Sequence, residues 1–260
     1  MRLIGIEGLN TQITGFMGEP VMSSSNMVQG FRRIFQGSVG LIIASALTGV
    51  VGWAATGPSV FSVKLRISVS SNGYPVQLPE MMTHISGFIS WLLMVFGVLG
   101  VIGGFIYLVF SIGYIIPGFR MITKGKDELS SPTKLIIVGL PLIGAGGIAC
   151  GVGAIYLSQV INNILSHPGE AFSAIGFMGI PALIGLVGRL IGYIGIGWIN
   201  LKLYNSYRDG FLLVSGILFL VAIPVQVIGF IAWIFMAVSA YQLMDRFKRE
   251  GTGSGGDNGL

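Results

Sequence analysis

The run FLLVSGILFLVAIPVQVIGFIAWIFMAVSAYQL, residues 211–243, decides how this chain is built. It is 33 residues long and carries no charged side chain. A helix that crosses a bilayer needs about 20 apolar residues. The run is therefore long for one crossing and short for two. The charges that follow it, Arg246, Lys248 and Arg249, decide the matter, because Lys and Arg gather on the cytoplasmic side of a membrane. Two tight crossings, turning near Pro224-Val225-Gln226, keep these three on the side from which the run began. One crossing would carry them to the other side.

Working outward, the other apolar runs obey the same rule. Arg32 and Arg33 precede the first, residues 37–55. Arg120, Lys124, Lys126 and Lys134 follow the second, which covers residues 85–107 and continues to Ile116. The third covers residues 135–160 and the fourth 180–199; the loop between them, Ser166 to Ala171, has no Lys or Arg. Lys202 and Arg208 follow the fourth. The expected architecture is an all-α polytopic membrane bundle of six transmembrane helices, with both termini cytoplasmic. Five spans is the alternative. With six, a weak repeat emerges. FRRIFQGSVGLII, SPTKLIIVGLPLI and SYRDGFLLVSGILF each open a helical hairpin. IGYIIPGFRM, IGWINLKLYN and VSAYQLMDRF close one each.

Composition supports a membrane protein. The chain is 53% hydrophobic and 10% charged, with a mean hydropathy of +0.82, whereas soluble domains carry about 25% charged residues. It holds 41 glycines in 260 residues, against a usual share of about 7%. Glycine lets apolar helices approach backbone to backbone. Gly100-x-x-x-Gly104, Gly147-x-x-x-Gly151 and Gly188-x-x-x-Gly192 read as packing faces. Trp53, Trp91 and Trp198 fall near the ends of runs and read as interfacial anchors.

One stretch departs from this pattern. VFSVKLRISVSSNGYPVQL, Val60 to Leu78, alternates apolar and polar residues and then meets Asn72-Gly73. Strict alternation predicts a strand, and Asn-Gly predicts a hairpin turn. An extracytoplasmic β-hairpin between the first two spans is expected, capping helix ends or offering a docking edge. Residues 1–30 read as a polar, interfacial segment with no cleavable leader, residues 31–247 as the bundle, and residues 248–260 as a disordered tail.

Arg189 is the informative polar residue within a span. It lies nine positions past Ile180, and a charge at the centre of a bilayer costs at least about 2.5–3.5 kcal/mol. No Asp or Glu lies in any predicted span. Its partner is then a helix-end carbonyl, Tyr193 one turn later, Asn200, a water cavity or an anionic ligand; otherwise the side chain snorkels to an interface. Arg189 and Tyr193 are the candidate substrate-binding residues. The same lack of carboxylates argues against a carboxylate-driven pump. Pro141, Pro181 and Pro224 interrupt spans and read as kinks.

No catalytic residues, metal ligands or cofactor are expected. His84 and His167 are far apart, and Cys150 has no base beside it and no second cysteine to pair with. GVLGVIGG lies inside an apolar run rather than after a strand, so it is not a dinucleotide fingerprint. The expected partners are the lipid bilayer and another membrane protein or a second copy of the chain, not nucleic acid. The basic loop GFRMITKGKDELSSPTK is a weak match to anionic lipid.

Two runs, GFRMITKGKDELSSPTKLIIVGLPLIGAGG and NLKLYNSYRDGFLLVSGILFLVAIPVQVIGFIAWI, resemble archaeal multispan membrane families whose activity is uncharacterised. The resemblance covers about half the chain. It implies an archaeal plasma membrane and transfers no functional residue. The expected function is a non-enzymatic structural or accessory membrane subunit that packs through glycine-rich helices. The alternative is a channel or carrier for an anion or a lipid headgroup, with its site at Arg189.

Overall fold

The computed structural model describes residues 24–70, 78–124, 126–161, 168–224 and 226–253, and among them there is no strand. The long helices are α1 (Ser24–Ser70), α2 (Leu78–Phe110), α4 (Ser130–Val160), α5 (Pro168–Tyr207) and α7 (Gln226–Gly253). Two short ones are α3 (Ile116–Thr123) and α6 (Gly210–Val221). Among the described residues five segments are long and apolar enough to cross a membrane.

Three expectations are corrected. First, the residues read as a strand, Val60 to Val69, continue α1 as helix to Ser70. The turn at Asn72-Gly73 and the second arm to Gln77 lie outside the described residues, and Leu78 opens α2. Extending an existing helix adds one hydrogen bond per residue fixed, whereas a new strand pair must be nucleated, and an isolated hairpin is marginal. Alternation alone does not overcome that difference.

Second, the decisive run does break before Pro224, but unequally. The α6 helix has 12 residues, or about 18 Å at 1.5 Å per residue, too short to cross a core of about 30 Å. Pro224 supplies no N–H to extend α6, so the sixth span is half-length. Third, α7 runs to Gly253, six residues into the expected tail.

Between α2 and α3 lies a π-helical turn, Ser111–Ile115, in which the Ile116 N–H bonds the Ser111 carbonyl. Pro117 stands in the first turn of α3. Its ring would meet the carbonyl of Gly113, four residues back, in a regular α-helix. One widened turn absorbs that conflict and lets α3 fold onto the start of α1. A Cβ added to Gly118 would lie 2.7 Å from Ile34 Cγ1, so the two helices meet closely there.

The helices form a closed circuit. The α1 helix touches α2 and α7, α2 touches α4, α4 packs extensively on α5, and α6 lies between α5 and α7. Glycine explains the position of α4. Toward α2, a Cβ on Gly104 would lie 2.7 Å from the Gly144 carbonyl oxygen. Toward α5, a Cβ on Gly146 would lie 2.5 Å from the Gly185 Cα. Both faces of α4 are therefore in backbone contact with a neighbour. Gly100, Gly104, Gly147, Gly151, Gly188 and Gly192, expected to form packing faces, all lie on these two seams.

One end of the circuit is aromatic and basic. The Phe31 ring stacks on Phe247 at 5.9 Å, and Tyr207 meets both edge-on at 6.2 and 5.4 Å. Lys126 lies over the Tyr207 ring at 5.6 Å. Lys202 Nζ donates to the Glu128 carbonyl at 3.0 Å and lies 3.7 Å from its carboxylate. Arg246 donates to the Tyr207 carbonyl at 3.4 Å. The start of α1, the turn before α4 and the ends of α5 and α7 thus meet at one basic end.

Candidate functional site

The α5 helix is apolar from Phe177, 66% exposed, to the region of Lys202. Arg189 is twelve residues from the first and thirteen from the second, about 18 and 20 Å along the axis. It is half-buried. Its guanidinium lies 5.7 Å from the centre of the Tyr193 ring. Among the described residues it makes no hydrogen bond and no ion pair.

Tyr193 is buried at the top of the α6–α7 hairpin. Its ring meets Phe219 edge-on at 5.2 Å, and Phe219 meets Trp233 at 4.8 Å. A Cβ on Gly229 would lie 3.1 Å from the Tyr193 hydroxyl, so α7 reaches this point only through a glycine. Further along, Gly197 faces Gly216. Continuing that antiparallel register outward brings Tyr193 level with Leu220 and Arg189 level with Pro224. By that register Arg189 lies on the part of α5 that extends past the end of α6 at Val221.

Sequence reasoning missed a third member of the site. Tyr107 of α2 shares an electrostatic neighbourhood with Tyr193 and Arg189. Its hydroxyl is buried beside the Tyr193 side chain and, among the described residues, meets no partner at full hydrogen-bond geometry. The α2 and α5 helices flank α4 on its two glycine seams, and that close approach allows a side chain of α2 to reach the site on α5. In sequence, Tyr107 is one more aromatic in an apolar run. Nothing local marks it.

Magnitudes identify the imbalance. In a bilayer a charge at this position would cost at least about 2.5–3.5 kcal/mol, and a cation–π contact returns about 0.5–2 kcal/mol. A guanidinium also carries five N–H donors, and a ring face accepts none of them in a conventional hydrogen bond. Asn200, another expected partner, is eleven residues away, about 16 Å. It donates instead to Ser215 Oγ at 2.7 Å and Met236 Sδ at 3.3 Å. The arrangement sets a cation beside two phenols, Tyr193 and Tyr107.

Above the hairpin the wall is open. Ile180, Leu183 and Val187 of α5 are exposed, as are Leu47 and Val50 of α1. Cys150 is a free, half-buried thiol on α4. Among the described residues no group of three His, Cys, Asp or Glu side chains gathers.

No family model, no curated protein and no solved structure matches this chain.

Proposed function

We propose that this chain is an integral membrane protein, basic end in the cytoplasm, that binds an anion or an anionic headgroup at Arg189 and carries or conducts it. The observation behind this reading is the half-buried Arg189, which among the described residues makes no hydrogen bond or ion pair and lies by the Tyr193 ring, with the buried Tyr107 hydroxyl nearby. The guanidinium would take the charge of the ligand, Tyr107 would donate to it, and Tyr193 would form the floor. The half-length α6 leaves the approach along the outer part of α5 uncovered.

The reading of a packing subunit loses part of its motive, because the glycine faces that suggested it are used within the chain. It keeps one supporting feature. Among the described residues Gly176 and Gly179 on the outer turns of α5 meet nothing within 4 Å, and Phe177 and Ile180 beside them are exposed. A partner helix would fit there, and a stable oligomer or stoichiometric partner in gentle detergent would favour that reading.

The test is anion flux in reconstituted vesicles, with iodide and phosphate as probes. Arg189→Gln should abolish flux while the protein stays folded. Arg189→Lys should retain part of it, because the charge remains although the planar fork is lost. Undiminished flux in Arg189→Leu would end the proposal.

A further inference from the structure

At the opposite level of the bundle, on the basic end, the α5–α6 corner, α6 and α7 line an open groove of about 550 Å³. Its rim carries Arg208 and Arg246, and its walls are Phe211, Val214, Phe235 and Leu243. We propose that this groove is a binding site for one anionic phospholipid, the phosphate between the two arginines and an acyl chain along the apolar seam.

The polarity of the groove matches that occupant. Phe211 and Phe235 face each other at 5.9 Å, and Phe211 and Val214 are exposed to the outside of the bundle. From Arg246 to Phe235 is eleven residues, about 16 Å along α7. That length suits a headgroup and the first part of its chain. Basic side chains at a cytoplasmic interface attract anionic lipid, and guanidinium recognises phosphate through paired donors.

Arg208 adds an independent sign. Its backbone is left-handed, with φ 54°, directly after α5. Glycine is the usual residue at such a helix end, because a side chain there costs about 1–2 kcal/mol. Here an arginine stands at that cost, its guanidinium 5.9 Å from the Tyr204 ring, on the rim of the groove. Strain kept at one position is a recognised mark of a working residue. The one acid in the groove, Asp209, is already engaged. Its carboxylate accepts the N–H groups of Phe211 at 2.7 Å and Leu212 at 3.3 Å and caps α6.

The test uses the full chain in detergent micelles, titrated with dioleoylphosphatidylglycerol or dioleoylphosphatidylcholine. Native mass spectrometry reads bound lipid and thermal unfolding reads stability. The expected result is one tightly held phosphatidylglycerol and a rise in Tm that phosphatidylcholine does not reproduce. Affinity should fall at least fivefold in Arg208→Gln/Arg246→Gln and stay unchanged in Arg249→Gln, which does not line the groove. Arg208→Gly gives a reading that misfolding cannot imitate: higher Tm without lipid, and a smaller gain with it. Equal response to both lipids would overturn the proposal. So would full retention by the double variant, displacement by soluble glycerol phosphate, or a lipid-free dimer that the double variant dissolves.

Discussion

The two faces of α4 and the two sides of α6 show opposite ways of holding apolar helices together. Along α4, packing is backbone on backbone. Gly104 meets Gly144, and Gly146 meets Gly185, with no room for a Cβ at Gly104, Gly144 or Gly146. Around α6, packing is by large side chains. Phe219 lies between Tyr193 and Trp233, and Leu212 and Phe219 are fully buried. The first mode brings three helices so close that a side chain on α2 shares a site with α5. The second fills space but stops halfway, because α6 stops halfway. The unbalanced Arg189 sits where the two modes meet.

Substitution at the seams should separate the modes most sharply. Gly146→Leu should cost about 3 kcal/mol or more, at or above the upper end for overpacked sites, because the obstacle is backbone that cannot rotate away. Gly179→Leu, with open space around it, should change stability by no more than about 0.5 kcal/mol. Thermal unfolding in one detergent compares the two directly. Equal losses would mean that the close α4–α5 approach does not exist in solution.

The next effect concerns the site at the junction. Without added anion, Arg189→Leu should stabilise the protein by about 1–2 kcal/mol, since replacing an ill-compensated buried charge with an apolar residue often does so. Adding iodide or phosphate should raise the Tm of the parent protein and leave that of the variant unmoved. A variant that is destabilised in both conditions would show that Arg189 has a structural partner.

How much of this was legible in sequence differs between the same regions. The helices and the break before Pro224 were, because long apolar runs and proline act locally. The Gly-x-x-x-Gly spacings were legible as faces, but their partners were not. Whether Gly188 meets another chain or Gly139 and Leu142 of its own depends on which helices lie side by side, which no single run encodes. Arg189 and Tyr193 were found because they are one turn apart on one helix. Tyr107 was missed because it reaches the site from another helix. The alternation at Val60 to Val69 misled because it followed an established helix. The length of α6 was missed because hydropathy continues unbroken past the residue at which hydrogen bonding stops.

Smaller effects sharpen the picture at the hairpin. Arg208→Gly should raise stability by about 1 kcal/mol by relieving the left-handed backbone, and Asp209→Ala should lower it by about 1 kcal/mol by removing the cap of α6. Chemical denaturation would resolve both. If the two changes had the same sign, the α5–α6 corner would not have this geometry.

With its short α6, the α6–α7 hairpin makes one strong demand on the proposed topology: α6 begins and α7 ends on the same side. Single cysteines at Arg33, Ser173 and Arg249, in a Cys150→Ser background, can be probed in intact cells with a membrane-impermeant maleimide. The expected result is labelling of the cysteine at 173 from outside, and labelling at 33 and 249 only after the membrane is opened. Labelling at 249 in intact cells, with 33 still protected, would mean that residues 211–243 cross once, and the hairpin beneath Arg189 would not exist.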